Sequence, residues 1–169
     1  MEKVYELINE QINKELYSAY LYMAIADYYE EAGLDGFANW YMLQAQEERD
    51  HALIFRNYMH ANGKKITLGA IEAPEVHFED FTTPLEAALE HEEYITASIN
   101  TIYEAALEAK DYRTQQFLVW FIDEQMEEEE NANAMIDNMR LFGGSDNGLY
   151  TLNKEYASRT YHVSSKLAK

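Results

Sequence analysis

The chain has no cysteine, and only two prolines and seven glycines among 169 residues. Without cysteine there can be no disulfides, no cysteine-ligated zinc and no iron–sulfur cluster, which fits a reducing compartment. Basic residues are scarce too: thirteen Lys and Arg face thirty-one Asp and Glu, for a net charge of -18. That balance argues against nucleic acid and anionic membrane surfaces, and favours cations as partners. No apolar run reaches the length needed to cross a bilayer, and the N-terminal MEKVYELINEQ is charged and amphipathic without an apolar h-region. The chain therefore reads as soluble, untargeted and cytoplasmic.

What is present is material for a core. With 47% hydrophobic and 14% aromatic residues, the chain can bury one sizeable core, and a single domain over residues 1–169 is expected. Fourteen tyrosines and seven methionines read mainly as core and interface filler.

The few glycines and prolines cluster, and the clusters cut the chain into long helical stretches. A first helix is expected over residues 4–31, ending at Gly33 and Gly36. A second runs over 37–61 and stops at Asn62-Gly63, a left-handed cap signal. A long connection over 64–83 carries Pro74, and TTPLEAA then starts a third helix, with Thr83 as N-cap, Pro84 at the first helical position and Glu86 completing a capping box. This helix should reach about Lys110. A fourth spans about 112–142 before Gly143-Gly144, and a short fifth follows Ser145-Asp146 to about Tyr161. The expected fold is all-α: an antiparallel four-helix bundle with one long crossover and a short fifth C-terminal helix.

Polar residues interrupt the apolar stripe of every long helix. On the first it reads Ile8, Ile12, Glu15, Ala19, Tyr22, Ala26; on the second Phe37, Tyr41, Gln44, Glu48, His51, Phe55, Tyr58. On the third it reads Leu85, Leu89, Glu92, Ile95 or Thr96, Ile99, and on the fourth Leu118, Phe121, Gln125, Glu128, Ala132, Met135, Met139. Glu15 to Glu48 and Glu92 to Gln125 are the same 33-residue step. Glu48 to His51 and Gln125 to Glu128 are likewise the same step, of one helical turn. Two helical hairpins thus carry one template.

Buried carboxylates cost several kcal/mol each and repel one another, and a cation removes both difficulties. Glutamate oxygens with one imidazole nitrogen suit Fe(II), Mn(II) or Zn(II) better than Mg(II) or Ca(II). Two metals are expected, with Glu48 as bridge, Glu15 and His51 completing one site and Glu92 and Glu128 the other. Any one of these residues alone would read as a satisfied core group; four helices interrupted at matching spacing do not. Glu124, Glu127, Glu129 and Glu130 read either as a solvated acidic face or, where Glu124 and Glu127 join Glu47, as an outer cation site.

NKELYSAYLY, QAQEERDHA, EHEEYIT, FLVWFIDEQMEEEE and the tail GLYTLNKEY together resemble the non-haem ferritins of bacteria and archaea, in order and over essentially the whole chain. The resemblance implies Glu15, Glu48 and His51 as ligands of one ferroxidase iron, Glu48, Glu92 and Glu128 as ligands of the other, and Gln125 as a polar residue at the same centre. It implies Glu47, Glu124 and Glu127 as a third iron site, Tyr22 as the tyrosine beside the centre and Trp120 as a tryptophan close to it. It further implies a shell of 24 subunits that oxidises Fe(II) with dioxygen or hydrogen peroxide and stores ferric oxyhydroxide. Bacterioferritin has a second Glu-x-x-His on the fourth helix and a haem-binding methionine after the bridging glutamate; Gln125 with Glu128, and Arg49, stand here instead, so haem is not expected. Two other readings predict different behaviour: a diiron redox enzyme would hold two or three irons per chain without mineral, and a metal-free scaffold would tolerate Glu48→Ala.

Overall fold

The computed structural model describes residues 1–74 and 77–167, and its helices are α1 (Glu2–Glu31), α2 (Asp35–Ala61), α3 (Thr83–Glu108), α4 (Tyr112–Phe142) and α5 (Asp146–Tyr156). Among the described residues, no helix is long and apolar enough to cross a membrane. Helices α1 and α2 form one hairpin and α3 and α4 the other, with α1 against α3 and α5 against α2 and α4. Tight left-handed residues end the turns: Gly33 has φ 76 and Gly63 φ 65, as their sequence positions predict. Lys110 does the same work after α3 with φ 54, so that helix stops at Glu108 rather than at Lys110.

The crossover between the hairpins runs back along α1. Asn9 exchanges hydrogen bonds with Thr67, and Asn13 with Gly69 and Ala70, while Tyr28 and Tyr29 donate to the carbonyls of Asp80 and Phe81. Side chains of one helix thereby satisfy a backbone that has no ladder of its own.

The start of α3 differs from expectation. Thr83 is already helical, and no capping box forms. Asp80 Oδ1 instead accepts from the Thr82 and Thr83 amides and from Thr83 Oγ1, at 2.8–2.9 Å, and Glu86 faces Arg140 at 3.6 Å. The aspartate three residues before Thr83 thus supplies a charged acceptor for the Thr82 and Thr83 amides, while the Leu85 and Glu86 amides that a Thr83 cap would take bond to the Thr82 carbonyl.

The N-cap position of α2 is Leu34, whose side chain cannot cap. Its acceptor comes from α5: Asn153 Oδ1 takes hydrogen bonds from the Gly36 and Phe37 amides at 2.7 and 3.3 Å, and its amide donates to Asp35 at 2.9 Å. A Cβ on Gly36 would lie 1.7 Å from the Asn153 carbonyl, so glycine is required for this approach. The fifth helix ends at Tyr156, not Tyr161. The chain then turns back over α2, held by Asn39 donating to the carbonyls of Tyr156 and Arg159.

The buried side chains fall into two apolar clusters. One holds Tyr22, Tyr29, Phe37, Tyr41, Leu85 and Met135; the other holds Ile8, Ile12, Phe55, Ile95, Ile99 and Phe121. A polar layer lies between them.

Candidate metal centre

Each of the four long helices contributes to that layer. Glu15 and Tyr22 come from α1, Gln44, Glu48 and His51 from α2, Glu92 from α3, and Gln125 and Glu128 from α4; all are buried. Helical period places them there, because each continues a stripe whose other members pack in the two apolar clusters. The stripe of α1 passes through Ser18 rather than the expected Ala19, which is only half-buried.

Glu15, Glu48 and His51 are 1–2% exposed. Each offers one ligand atom, and the three atoms lie within 4.8 Å of one another. Among the described residues, Glu15 Oε2, Glu48 Oε1 and His51 Nδ1 have no hydrogen-bond partner, nor does Oε1 of Gln44, one turn before Glu48. His51 Nδ1 is 3.3 Å from Glu48 Oε2, but the pair lacks hydrogen-bond alignment and is held by charge alone. Buried orphan acceptors each forfeit a desolvation cost of about 1–3 kcal/mol, and more when charged. Several sharing one small volume form a donor set that a cation would satisfy.

The remaining oxygens are held in place. Glu92 accepts from the Tyr22 hydroxyl and, at 2.9 Å, from Gln125 Nε2; Glu128 accepts from Gln44 Nε2 at 2.7 Å. Glu15 Oε1 accepts from Gln11 Nε2 at 2.9 Å, Gln11 accepts from Ser98 Oγ at 2.6 Å, and Ser98 accepts from Lys14 Nζ at 2.7 Å. Such outer donors fix the orientation of ligands and tune their basicity. Trp120 and Phe121 present their rings edge-on to His51, with centroids 5.7 and 5.8 Å away.

Burial dominates the proton affinities. It pushes Glu48 well above the usual carboxylate range, with Glu92 and Glu15 adding repulsion and His51 opposing. Burial likewise raises Glu92, against the hydrogen bonds from Tyr22 and Gln125, and lifts Glu128 to about 8. For His51 burial disfavours the imidazolium, but the charges of Glu48, Glu124 and Glu15 outweigh it and hold its pKa well above the ordinary value.

The outer acidic residues behave differently. Among the described residues, Glu47, Glu124 and Glu127 do not converge on a common point as Glu15, Glu48 and His51 do. Glu127 is exposed, Glu124 Oε1 lies 3.7 Å from His51 Nε2, and Glu47 is bound by Arg159 Nη2 at 2.6 Å. Ser98 and Arg159 carry no functional signal in the sequence, whereas Gln11 was discoverable as a polar residue one turn before Glu15 on the apolar face.

Known proteins share this arrangement of helices. Residues 5–142 match the family model described as a ferritin-like domain. The chain is 40% identical over 149 residues to a bacterial non-heme ferritin of Campylobacter jejuni, covering 88% of this chain and 89% of that one. A bacterial non-heme ferritin of Staphylococcus epidermidis is 39% identical over 155 residues, covering 92% and 93%. In structure, an engineered closed form of the Archaeoglobus fulgidus ferritin superposes with a TM-score of 0.93 at 38% identity, covering 96% of this chain and 99% of that chain. The open-pore ferritin of the same archaeon gives 0.92 at 38% identity, covering 95% and 98%. With four helices bringing carboxylates and one imidazole to a single buried layer, and with relatives this similar over this much of its length, the chain belongs to the ferritin family, alongside the non-heme ferritins of bacteria.

Proposed function

We propose that this chain stores iron: it takes Fe(II) as substrate, oxidises it within the bundle, and passes ferric product to a cavity enclosed by a homo-oligomeric shell of 24 copies. The observation that carries the reading is the convergence of unpartnered, buried ligand atoms from Glu15, Glu48 and His51. The donor chemistry fits the substrate. Carboxylate oxygens are hard ligands that favour Fe(III) over Fe(II), and a single imidazole suits the ferrous ion on arrival. Glu48 bridges two substrate ions, Glu15 and His51 hold one, and Glu92 and Glu128 hold the other, with Gln125 keeping Glu92 in place.

Two ferrous ions give up two electrons, which with two protons reduce dioxygen to hydrogen peroxide, or reduce hydrogen peroxide to water. The protein's part is positional. Tyr22 and Gln125 orient Glu92, Gln44 orients Glu128, and the apolar clusters on either side exclude bulk water. The net charge of -18 draws ferrous ions toward the particle. Neither nucleic acid, membrane nor haem has a part.

The test is aerobic iron uptake by metal-free protein, following ferric absorbance, iron bound per chain and particle size in the same sample, with Glu48→Ala alongside. Fast oxidation, soluble iron far beyond three ions per chain and a slow variant are expected. Saturation at two or three ions would limit the chain to redox chemistry without storage, and identical behaviour of the variant would remove the centre from the mechanism.

A further inference from the structure

The segment after α5 makes more contacts than a loose tail would. Arg159 Nη2 donates to Glu47 at 2.6 Å, Nη1 donates to the Trp40 carbonyl at 3.3 Å, and the guanidinium carbon sits 4.1 Å from the centroid of the Trp40 ring. Two residues later the Tyr161 hydroxyl donates to buried Asp50. These contacts lay residues 157–167 over α2 and α4 and roof a cavity of about 190 Å³, lined by Glu47, Asp50, His51, Trp120 and Glu124 below and by His162, Ser164 and Ser165 above. His51 therefore faces two ways: Nδ1 toward Glu48 in the buried centre, and Nε2 toward Glu124 in this cavity.

We propose that Arg159 is a tethered counter-cation that occupies the outer carboxylate site in place of a metal ion, and that residues 157–167 must lift from α2 before a third cation can bind between Glu47 and Glu124. The inference rests on the iron-handling reading for its purpose, but its geometry is independent of it. A planar guanidinium donating to a carboxylate and stacked on an indole is held on two sides at once, and a metal ion aimed at Glu47 must displace it. Release of the strap also removes the roof from the cavity beside His51. Third-site occupancy and the opening of a route to the buried centre become one event, so a cation leaving the centre would open the way for itself. A lysine at 159 would keep the charge but lose the fork and the stack, and an uncharged residue would lose all three.

The test uses Tb(III), a hard cation inert to redox chemistry whose emission is sensitised by a nearby indole, here Trp120 in the cavity wall. Whole protein, metal-free and assembled as purified, is titrated as wild type, Arg159→Gln, Arg159→Lys and Arg159→Gln with Glu47→Gln. Arg159→Gln should bind the ion giving sensitised emission at least tenfold more tightly than wild type, Arg159→Lys should fall between, and the double variant should lose the gain. In wild type, hydrogen exchange of peptides covering 157–167 should accelerate when that ion binds, a readout that needs no variant. Equal affinity in wild type and Arg159→Gln, a gain that survives Glu47→Gln, or exchange that does not change on binding would each overturn the proposal. Tight binding of two Zn(II) per chain, lost in Glu48→Ala, separately tests the buried centre, so failure there is distinguishable from failure at the strap.

Discussion

Replacing Glu48 by glutamine should make the metal-free protein more stable and the metal-loaded protein less so. Glu48 is fully buried, its Oε1 has no partner, and its Oε2 faces His51 without hydrogen-bond alignment while Glu15 and Glu92 repel it. The carboxylate thus loses its hydration and recovers little. Removing a buried ion pair in favour of neutral groups of like volume is often neutral or stabilising by roughly 1–4 kcal/mol, and here Glu15 and Glu124 remain to face His51 so that the histidine is not left uncompensated. For a chain of this size each kcal/mol raises the melting temperature by about 2–4 °C, so a rise of roughly 2–16 °C is expected without metal. The pH dependence fixes the cause. Glu48 is shifted upward, and Glu128 moves from 4.5 to about 8, so the folded protein holds more protons than the unfolded chain between those values. Stability without metal must then fall as pH rises across that window. His51, also shifted upward, has the same sign: its contribution is full below its unfolded value and is lost as pH rises through the folded one. Scanning calorimetry in chelator from pH 5 to 9 should show that fall in wild type and a flatter curve in Glu48→Gln. Zn(II) should raise the wild-type midpoint far more than the variant's. A variant less stable than wild type at pH 8 without metal, or one equally stabilised by Zn(II), would refute the account of the buried charge.

Gln11→Leu leaves Glu15 without its donor and should weaken Zn(II) binding by about 10- to 100-fold, as read by calorimetric titration. Asn153→Ala removes the acceptor for the Gly36 and Phe37 amides and should lower stability by about 1–2 kcal/mol in denaturant melts, with α2 fraying first in hydrogen exchange. Gly36→Ala is expected to be worse than Asn153→Ala, because the added carbon meets a backbone carbonyl that cannot swing aside; a smaller loss in the same melts would show that α5 has room to shift. Tyr22→Phe should destabilise by about 1–3 kcal/mol through the lost donor to Glu92, measured in the same way.

The helices and the buried polar layer were legible because both follow from local rules. The 3.6-residue period assigns each side chain a face, so Glu15, Glu48, His51, Glu92, Gln125 and Glu128 stood out as polar residues in apolar stripes. Gly33 and Gly63 announced their turns through the one conformation glycine tolerates best. What was not legible depends on partners remote in sequence. The cap of α2 is Asn153, 117 residues from Gly36, and nothing near Leu34 hints at it. The end of α5 at Tyr156 is set by where Arg159 and Tyr161 find Glu47 and Asp50, not by any breaker, so a pattern-based reading carried the helix on to Tyr161. Thr83 looked like a cap in isolation, but its hydroxyl and amide both donate to Asp80, whose approach depends on the course of the crossover. The acidic residues Glu47, Glu124 and Glu127 looked alike in sequence and differ in the fold, because only tertiary contact decides which one an arginine reaches.

The polar layer between the two apolar clusters also determines how the bundle comes apart. In most small bundles one continuous core makes every turn of every helix depend on every other, and the chain unfolds as a unit. Here the clusters around Phe37 and around Phe55 meet across a layer in which the hydrogen bonds from Tyr22, Gln44 and Gln125 stand beside charges that repel and atoms that lack partners. Without metal such a layer couples the two clusters less tightly than a continuous apolar core would. With the ligand set proposed above, bound cations would rivet all four helices together, turning two weakly coupled halves into one cooperative body.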